Sequence, residues 1–200
     1  MADLFQFIQE NVVIKLDLSF KKIGEDCVKY LSEALQKNQT LTLDISLNII
    51  GDSGAYYLSE VLQKNQSLTE LSLSHNEIGE SGIKYLSEAL QKNQTLKTLH
   101  LNCNKIGDPG VKHLSEALQK NQTLTSLLCN RIEDHGTEHL SVALQKKKIL
   151  TSLIHLFCQG IEEFGILIKD VYLSDISIIL KENSLKHFKK EFSSLKSLFN

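Results

Sequence analysis

Proline, paired cysteines and long apolar runs are scarce or missing in this chain of 200 residues. Its one proline, Pro109, leaves little room for extended linkers. The four cysteines, Cys27, Cys103, Cys129 and Cys158, form no CxxC pair and show no disulfide-framework spacing. We therefore expect reduced thiols in a cytosol-like compartment. No stretch approaches the roughly 18 uninterrupted apolar residues of a membrane-spanning helix.

An excess of charge of one sign is also missing. The net charge is −2, which gives no overall attraction to nucleic acid or to an anionic membrane. The opening "MADLFQFIQENVV" has no basic region followed by an apolar one, so we expect no secretory signal there. The chain has no P-loop, no GxGxxG after a strand and no HExxH. Glu162 and Glu163 have no nucleophile or base partner at a recognisable spacing. Together with the missing motifs, this predicts a protein that is not an enzyme and has no cofactor and no metal site.

What the sequence does contain is a repeat. The run "LSEALQKNQT" occurs at Leu31–Thr40, Leu86–Thr95 and Leu114–Thr123, with a near-copy at Leu58–Ser67. The first leucine of each copy and its counterpart Leu140 are separated by 27, 28, 28 and 26 residues. The asparagines that close "QKN" repeat with nearly the same period. A period of this size indicates a stack of small supersecondary units.

The unit at Thr95–Gln122 shows what is repeated. Leu96, Leu99, Leu101 and Asn104 fit the pattern LxxLxLxxN, and the alternation of Leu99 with Leu101 predicts a strand with one buried face. "NKIGDPG" follows, which is rich in turn formers. Val111, Leu114, Ala117 and Leu118 then form a helical stripe. Each unit is predicted to be strand, turn, helix and return.

This pattern resembles the leucine-rich repeat, and specifically the 28-residue ribonuclease-inhibitor type that also forms the sensor region of NOD-like receptors. The resemblance implies an α/β leucine-rich-repeat solenoid, a horseshoe with a parallel sheet on its concave face and helices on its convex face. We expect about six repeats in residues 12–165, the last of them degenerate. Residues 1–11 and 166–200 are predicted to form helical caps at the N-terminal and C-terminal ends.

Certain polar and small residues recur for a structural reason. One asparagine per repeat follows the strand, where its amide is expected to satisfy backbone groups; this predicted ladder is Asn48, Asn76, Asn104 and Asn130. The first repeat has Lys21 instead. Two sets of glycines are expected to allow the tight turn into each helix: Gly24, Gly51, Gly79 and Gly107, and then Gly54, Gly82 and Gly110.

The fifth repeat departs from the pattern. Two residues are missing between Leu127 and Asn130, so we expect its strand to be shorter or bulged. Cys103 and Cys129 would then be neighbours on adjacent strands, near the histidines at positions 75 and 100. A flat column of this kind lacks the closed geometry of a zinc site, and we predict that these residues pack beside the ladder instead.

The positions that vary from repeat to repeat lie between the repeated leucines and would point from the strands into the concave face. They form a polar surface with one stripe of apolar and soft side chains, which suits a protein or peptide partner. The predicted partner-binding residues are Asp17, Phe20, Asp44, Leu47, Glu70, Ser72, His75, Thr98, His100, Asn102 and Cys103. Drift of unselected solvent-facing positions is the alternative explanation for this variability.

We therefore predict a monomeric, non-enzymatic module that binds a protein partner through its concave face. From the cysteine spacing we expect it in the cytoplasm. Its resemblance to the repeat proteins that intracellular bacteria secrete implies a host cytosol instead, if it is an effector. A fragment of a NOD-like-receptor-type sensor is an alternative. A membrane-surface adaptor is another, because Lys186, Lys189 and Lys190 accompany an amphipathic stripe within 185–199. That stripe, Leu185, Phe188, Phe192, Leu195 and Phe199, equally suits a cap.

Overall fold

The computed structural model describes residues 14–36 and 38–130, together with Ile8, Gly136, His139, Leu140, Ala143 and 156–157. For residues 128–130 and 156–157 it describes the backbone only. The chain divides into two compact units, Met1–Gly160 and Ile161–Asn200, and every described residue belongs to the first. Three predicted segments lie outside the described residues. They are the N-terminal cap, except for Ile8; the degenerate last repeat, except for 156–157; and the C-terminal cap with its apolar stripe.

Strands and helices alternate along the described chain. The strands are β1 (Lys15–Asp17), β2 (Thr42–Asp44), β3 (Glu70–Ser72), β4 (Thr98–Leu101), β5 (Ser126–Asn130) and β6 (Leu156–Phe157). The helices are α1 (Glu25–Leu35), α2 (Gly51–Lys64), α3 (Glu80–Leu90) and α4 (Gly107–Lys120). None of the helices in this part of the chain is long and apolar enough to cross a membrane.

The strands form one parallel sheet in the order β1-β2-β3-β4-β5-β6. Each strand therefore pairs with the strand of the next repeat, and each connection between described repeats passes through a helix. Such crossovers are right-handed, so successive helices lie on the same face of the sheet. We call the opposite face, which carries Lys15, Asp17 and their counterparts in later strands, the open face. It corresponds to the face predicted to be concave.

The core lies between the sheet and the helices and is built from equivalent leucines. Leu16, Leu43, Leu71 and Leu99 stand in register on β1 to β4 and are buried. They meet a helical stripe of which Leu31, Leu58, Leu86 and Leu114 are all at most 1% exposed. Neither row could be buried within a single repeat, so stacking of repeats creates the core. The α/β leucine-rich-repeat solenoid predicted from the sequence is confirmed.

The turns between strand and helix take two conformations that alternate along the array. In the first and third repeats Lys22 and Glu77 have left-handed φ values of 56° and 59°, and the helix that follows has 11 residues. In the second and fourth repeats Gly51 and Gly107 have φ values of 58° and 63° instead, and the helix has 14 residues. The near-identical repeats are therefore not structurally identical.

The second set of glycines does not form turns as expected. Gly54, Gly82 and Gly110 lie inside helices and are buried. A Cβ atom on Gly82 would lie 2.6 Å from the Oδ1 of Asp52 and 2.8 Å from a methyl group of Ile78. Glycine is needed at this position because a neighbouring helix and turn approach closely, and its conformational freedom has no role there.

The fifth strand is neither short nor bulged, so that expectation is wrong. β5 spans five residues, and its Cys129 pairs with Leu101 of β4. The expected neighbourhood of Cys103 and Cys129 is therefore also wrong. The strand continues past the position where β4 ends. As a result Asn130 follows directly on Cys129, two positions short of the register of Asn104.

Candidate functional site

The asparagines that follow the strands connect neighbouring repeats. The Oδ1 atom of Asn48 accepts the backbone N–H groups of Lys21 at 3.1 Å and Ile23 at 2.9 Å. Its Nδ2 group donates to the carbonyl of Leu18 at 3.0 Å. Lys21 needs no ladder side chain of its own, because the asparagine of the following repeat serves the turn in which it lies.

The asparagines of the second and fourth repeats, Asn48 and Asn104, make hydrogen bonds that Asn76 of the third repeat does not make. Asn104 repeats the pattern of Asn48, and its Oδ1 accepts the N–H groups of Asn76 and Ile78 at 3.1 and 3.0 Å. Asn76 donates to the carbonyl of Ile45 at 2.9 Å, but its buried Oδ1 has no hydrogen-bond partner among the described residues. The turn that faces Asn76 has the other conformation. Only the backbone of Asn130 is described, so its role in the ladder stays a prediction.

A second asparagine ladder lies on the return from each helix to the next strand. The Nδ2 group of Asn65 donates to the carbonyl of Leu35 at the end of α1. Its Oδ1 accepts the backbone N–H groups of Ser67 and Leu68 at 2.8 and 2.7 Å. Asn93 and Asn121 make the equivalent contacts. Their Nδ2 groups donate to the carbonyls of Leu62 and Leu90 in the helix of the repeat before, and their Oδ1 atoms accept the N–H groups of Leu96 and Leu124. The asparagine of "QKN" therefore satisfies a carbonyl group in the helix of the repeat before, and the motif also turns the chain.

On the open face, the sheet aligns the variable positions in columns. Lys15, Thr42, Glu70, Thr98 and Ser126 form one column. Asp17, Asp44, Ser72 and His100 form the next. Ser19, Ser46, Ser74 and Asn102 follow beyond the strand ends. The eleven residues predicted to bind a partner all belong to these columns or to the one described next, and all are exposed or half-buried.

The last column of the open face has an unusual backbone. Phe20, Leu47, His75 and Cys103 all have left-handed φ values between 55° and 58°, and all four side chains are exposed. The N–H groups of Phe20, Leu47 and His75 continue the pattern of the sheet; that of Phe20, for example, donates to the carbonyl of Ser46 at 3.0 Å. Phe20 is 76% exposed and Leu47 is 48% exposed. Large apolar side chains are therefore held in solvent on a backbone that glycine would adopt more easily.

Two aspartates lie side by side on the open face of the first two repeats. Asp17 pairs in register with Asp44. The Oδ1 atom of Asp17 accepts the hydroxyl of Ser19 at 2.7 Å and its backbone N–H at 3.0 Å. These two hydrogen bonds, chiefly that of the hydroxyl, lower the pKa of Asp17 below its ordinary value. Asp44 is bound by Ser46 in the same way, at 2.6 and 2.9 Å.

The sequence interpretation missed a tyrosine cluster on the helices. The ring of Tyr56 contacts those of Tyr57 and Tyr85 edge to face, with centroids 5.4 and 5.2 Å apart. With Asp52, Ser53 and Ser81 these rings line a shallow groove of about 490 Å³. The signal was present in the repeat. Tyr56 stands where α1, α3 and α4 carry lysine, and Tyr57 and Tyr85 occupy equivalent positions.

No set of three or more histidine, cysteine, aspartate or glutamate side chains in the described part of the chain is placed to hold a metal ion. The chemistry that these columns offer consists of exposed apolar groups, carboxylates, hydroxyls and imidazoles on a rigid sheet.

Comparison with known proteins agrees with this geometry. The family model described as "Leucine Rich repeat" matches three consecutive stretches, residues 37–59, 64–87 and 92–115. No curated protein matches the sequence. The solved structure of leiomodin-1 actin-binding site 2 is similar, with a TM-score of 0.62 and 16% identity, covering 96% of each chain. The C-terminal domain of tropomodulin from Caenorhabditis elegans has the same TM-score and identity, covering 72% of this chain and 91% of its own. The chain is a leucine-rich repeat protein.

Proposed function

We propose that this chain is a non-enzymatic protein–protein interaction module that binds a partner protein through the open face of its sheet. The observation that carries this proposal is the exposed pair Phe20 and Leu47, held on left-handed backbone at the ends of adjacent strands. A left-handed conformation costs a residue other than glycine about 1–2 kcal/mol. Exposure of a large apolar side chain adds nothing that stabilises the folded chain.

The pair therefore opposes folding, and a function on this surface gives it a reason to exist. Aromatic and large aliphatic side chains on a rigid scaffold are typical anchors of protein interfaces. The surrounding carboxylates and hydroxyls of Asp17, Asp44, Ser19 and Ser46 supply the polar rim that such an anchor requires. A rigid sheet also loses little conformational entropy when it binds.

A double substitution tests the proposal without harming the fold. Phe20→Asn with Leu47→Asn removes both apolar side chains, and asparagine tolerates left-handed φ better than the residues it replaces. The matched control is Tyr30→His on α1, because His113 occupies the equivalent position in α4. Wild type and both variants are immobilised, proteins are captured from a eukaryotic cytosol, and each captured protein is purified and its affinity measured directly.

We expect the partner to bind wild type and the control with the same affinity, and the asparagine variant at least about tenfold more weakly. Circular dichroism should show that both variants keep the wild-type fold. Equal affinity of the partner for all three proteins would place its binding site elsewhere, and the proposal would then be wrong.

Actin is one candidate partner, because the similar structure of leiomodin-1 is described as an actin-binding site. At 16% identity the likeness supports a common architecture and leaves the ligand open. Co-sedimentation of the chain with filamentous actin, and gel filtration with monomeric actin, decide this directly. Binding that is lost in the asparagine variant would assign actin to the open face.

The proposal extends to where the chain acts. We place it in a cytosol, either that of the producing cell or, for a secreted effector, that of a host, on the basis of the cysteine spacing and the resemblance of the repeats. A sensor fragment and a membrane-surface adaptor remain the alternatives. Flotation with anionic liposomes, with and without residues 185–200, tests the adaptor. Flotation that depends on those residues would favour it over the interaction module.

A further inference from the structure

Asp17 and Asp44 bear like charges on one face of adjacent strands. Their backbones are in register, so the two residues stand about 4.8 Å apart. Like charges directly opposite each other destabilise a sheet. Among the described residues neither carboxylate forms an ion pair; the salt bridges there join Lys64 to Glu60 and Lys105 to Glu77. Two carboxylates thus lie side by side on the open face, each accessible to an ion-pair partner from outside the chain.

The two carboxylates are held in the same way. In each aspartate, Oδ1 accepts both hydrogen bonds from the serine two positions later, and Oδ2 accepts none from the described residues. The serine bonds fix the carboxylate orientation and favour its charged form. Two neighbouring carboxylates with one oxygen each to spare match the planar donor fork of a guanidinium group.

The charges around the pair are of both signs, with carboxylates in the majority on the strands. Glu70 lies on the next strand in register with Thr42, diagonal to Asp44. The open-face columns of β1 to β3 therefore carry three carboxylates and one cation, Lys15. Lys21 follows in the turn after β1. Lys15 and Lys21 both lower the pKa of Asp17, by less than the Ser19 hydrogen bonds do.

Apolar groups lie on both sides of the acidic pair. Phe20 and Leu47 are three residues beyond the aspartates, at most about 10 Å along the chain. Ile14 and Leu41 are three residues before them and are 64% and 41% exposed. Ile14 and Leu41 are neighbours, because the N–H of Leu41 donates to the carbonyl of Ile14 at 2.9 Å. In the third and fourth repeats the same positions hold polar residues or cysteine, so the arrangement belongs to the first two repeats.

We propose that the first two repeats bind an extended segment of a protein partner that places an arginine between Asp17 and Asp44, with an apolar side chain about three residues away against Phe20 and Leu47. This inference rests on the proposed function and specifies the partner chemistry of the same surface. Guanidinium donors bind the free carboxylate oxygens, and the apolar neighbour covers the side chains that the left-handed backbone holds in solvent.

A library of random twelve-residue peptides displayed on phage tests the inference. Peptides are selected on the wild-type chain, and the most enriched one is synthesised with its arginine, with lysine and with neutral citrulline at that position. Affinities are measured for wild type, for Asp44→Ser and for Glu88→Gln. Serine is the residue of the third repeat in this column, Ser72. Glu88→Gln removes one negative charge from the exposed face of α3 and serves as the control.

We expect enriched peptides to carry arginine two to four positions from an apolar residue. Citrulline in the peptide, or Asp44→Ser in the protein, should weaken binding about fivefold or more, with lysine intermediate and Glu88→Gln unchanged. The affinity of the arginine peptide should fall as salt rises, and that of the citrulline peptide should not.

The outcomes separate this inference from the function on which it rests. Binding that is lost in Phe20→Asn with Leu47→Asn, yet unaffected by citrulline and by Asp44→Ser, overturns the inference and leaves the open face as the binding surface. Binding unaffected by all of these changes overturns both. A selection that enriches no peptide, or only peptides without a basic residue, also overturns the inference, because an arginine-bearing segment would then not be the ligand.

Discussion

Replacement of Asn104 by alanine should destabilise the protein far more than the same replacement of Asn76. Asn104 accepts two buried N–H groups, those of Asn76 and Ile78, and donates to the carbonyls of Leu73 and Leu101 at 2.9 Å each. Asn76 donates to the carbonyls of Ile45 and Ser74, and its Oδ1 accepts nothing among the described residues. The two side chains are otherwise matched, since both are buried at the same point of the repeat.

The expected magnitudes follow from the groups left without partners. Each buried donor that loses its acceptor costs about 1–3 kcal/mol. Asn104→Ala leaves two such donors and should lower the free energy of unfolding by about 3–4 kcal/mol. Asn76→Ala leaves none, and the two carbonyls it deprives keep other lone pairs, so its cost should be about 1 kcal/mol. The cavity left by the amide is the same in both variants and cancels in the comparison.

Urea unfolding followed by far-ultraviolet circular dichroism measures this difference. With a typical slope of about 2 kcal/mol per molar urea, the midpoint of Asn104→Ala should lie about 1 M below that of Asn76→Ala. Tyrosine fluorescence recorded in parallel checks that the array unfolds in one transition. Midpoints within about 0.3 M of each other would refute the reasoning, since the alternating hydrogen bonds would then carry no energetic weight.

Three further outcomes follow from the structure. Gly82→Ala should lower the free energy of unfolding by about 1–2 kcal/mol in thermal melting, because its methyl group meets atoms at 2.6 and 2.8 Å. Gly24→Ala, with nothing within 4 Å, should cost less, since alanine loses only the preference for glycine at the N-cap of α1. Ser87→Ala should not lower the melting temperature, because the buried hydroxyl of Ser87 has no partner among the described residues; a loss of several degrees would contradict this. Ser19→Ala should raise the pKa of Asp17 in a carbon-detected NMR titration. In wild type the lowered pKa stabilises the folded chain at pH values above the pKa of the unfolded state, and this stability is lost as the pH falls through the pKa of the folded state.

The register of the sheet could be predicted from the sequence. Offsets of 27 and 28 residues between landmarks place Asp17, Asp44, Ser72 and His100 in one column, and the structure has the same pairs. Repeats that bury a common core must keep their leucines aligned, so the positions between them align too. The open-face residues were therefore predictable as positions, and their binding of a partner remains a prediction.

Other features depended on neighbours distant in sequence. "NEIGE" and "NKIGD" are nearly the same, yet Glu77 is left-handed in the first and Gly107 in the second. The residue after the glycine alternates in step with the turns, with Glu25 and Glu80 in one kind and Asp52 and Asp108 in the other. The Oδ1 atom of Asp52 accepts the backbone N–H of Gly79, 27 residues later, at 2.6 Å. The deletion before Asn130 could have shortened the strand or the turn, and only packing against β4 decides between them. The role of Asn65 likewise depends on the carbonyl of Leu35, thirty residues earlier.

The alternation of the turns has a consequence for how such an array could change its length. A gene segment that encodes one repeat can be duplicated or lost as a block, and the three copies of "LSEALQKNQT" show how closely the blocks match. Loss of one block would bring two turns of the same conformation together, so one asparagine would face the wrong set of N–H groups. Loss of two blocks would restore the original neighbours. A pair of repeats, about 56 residues by the 28-residue period, is thus the smallest block whose loss keeps each asparagine opposite its own kind of turn.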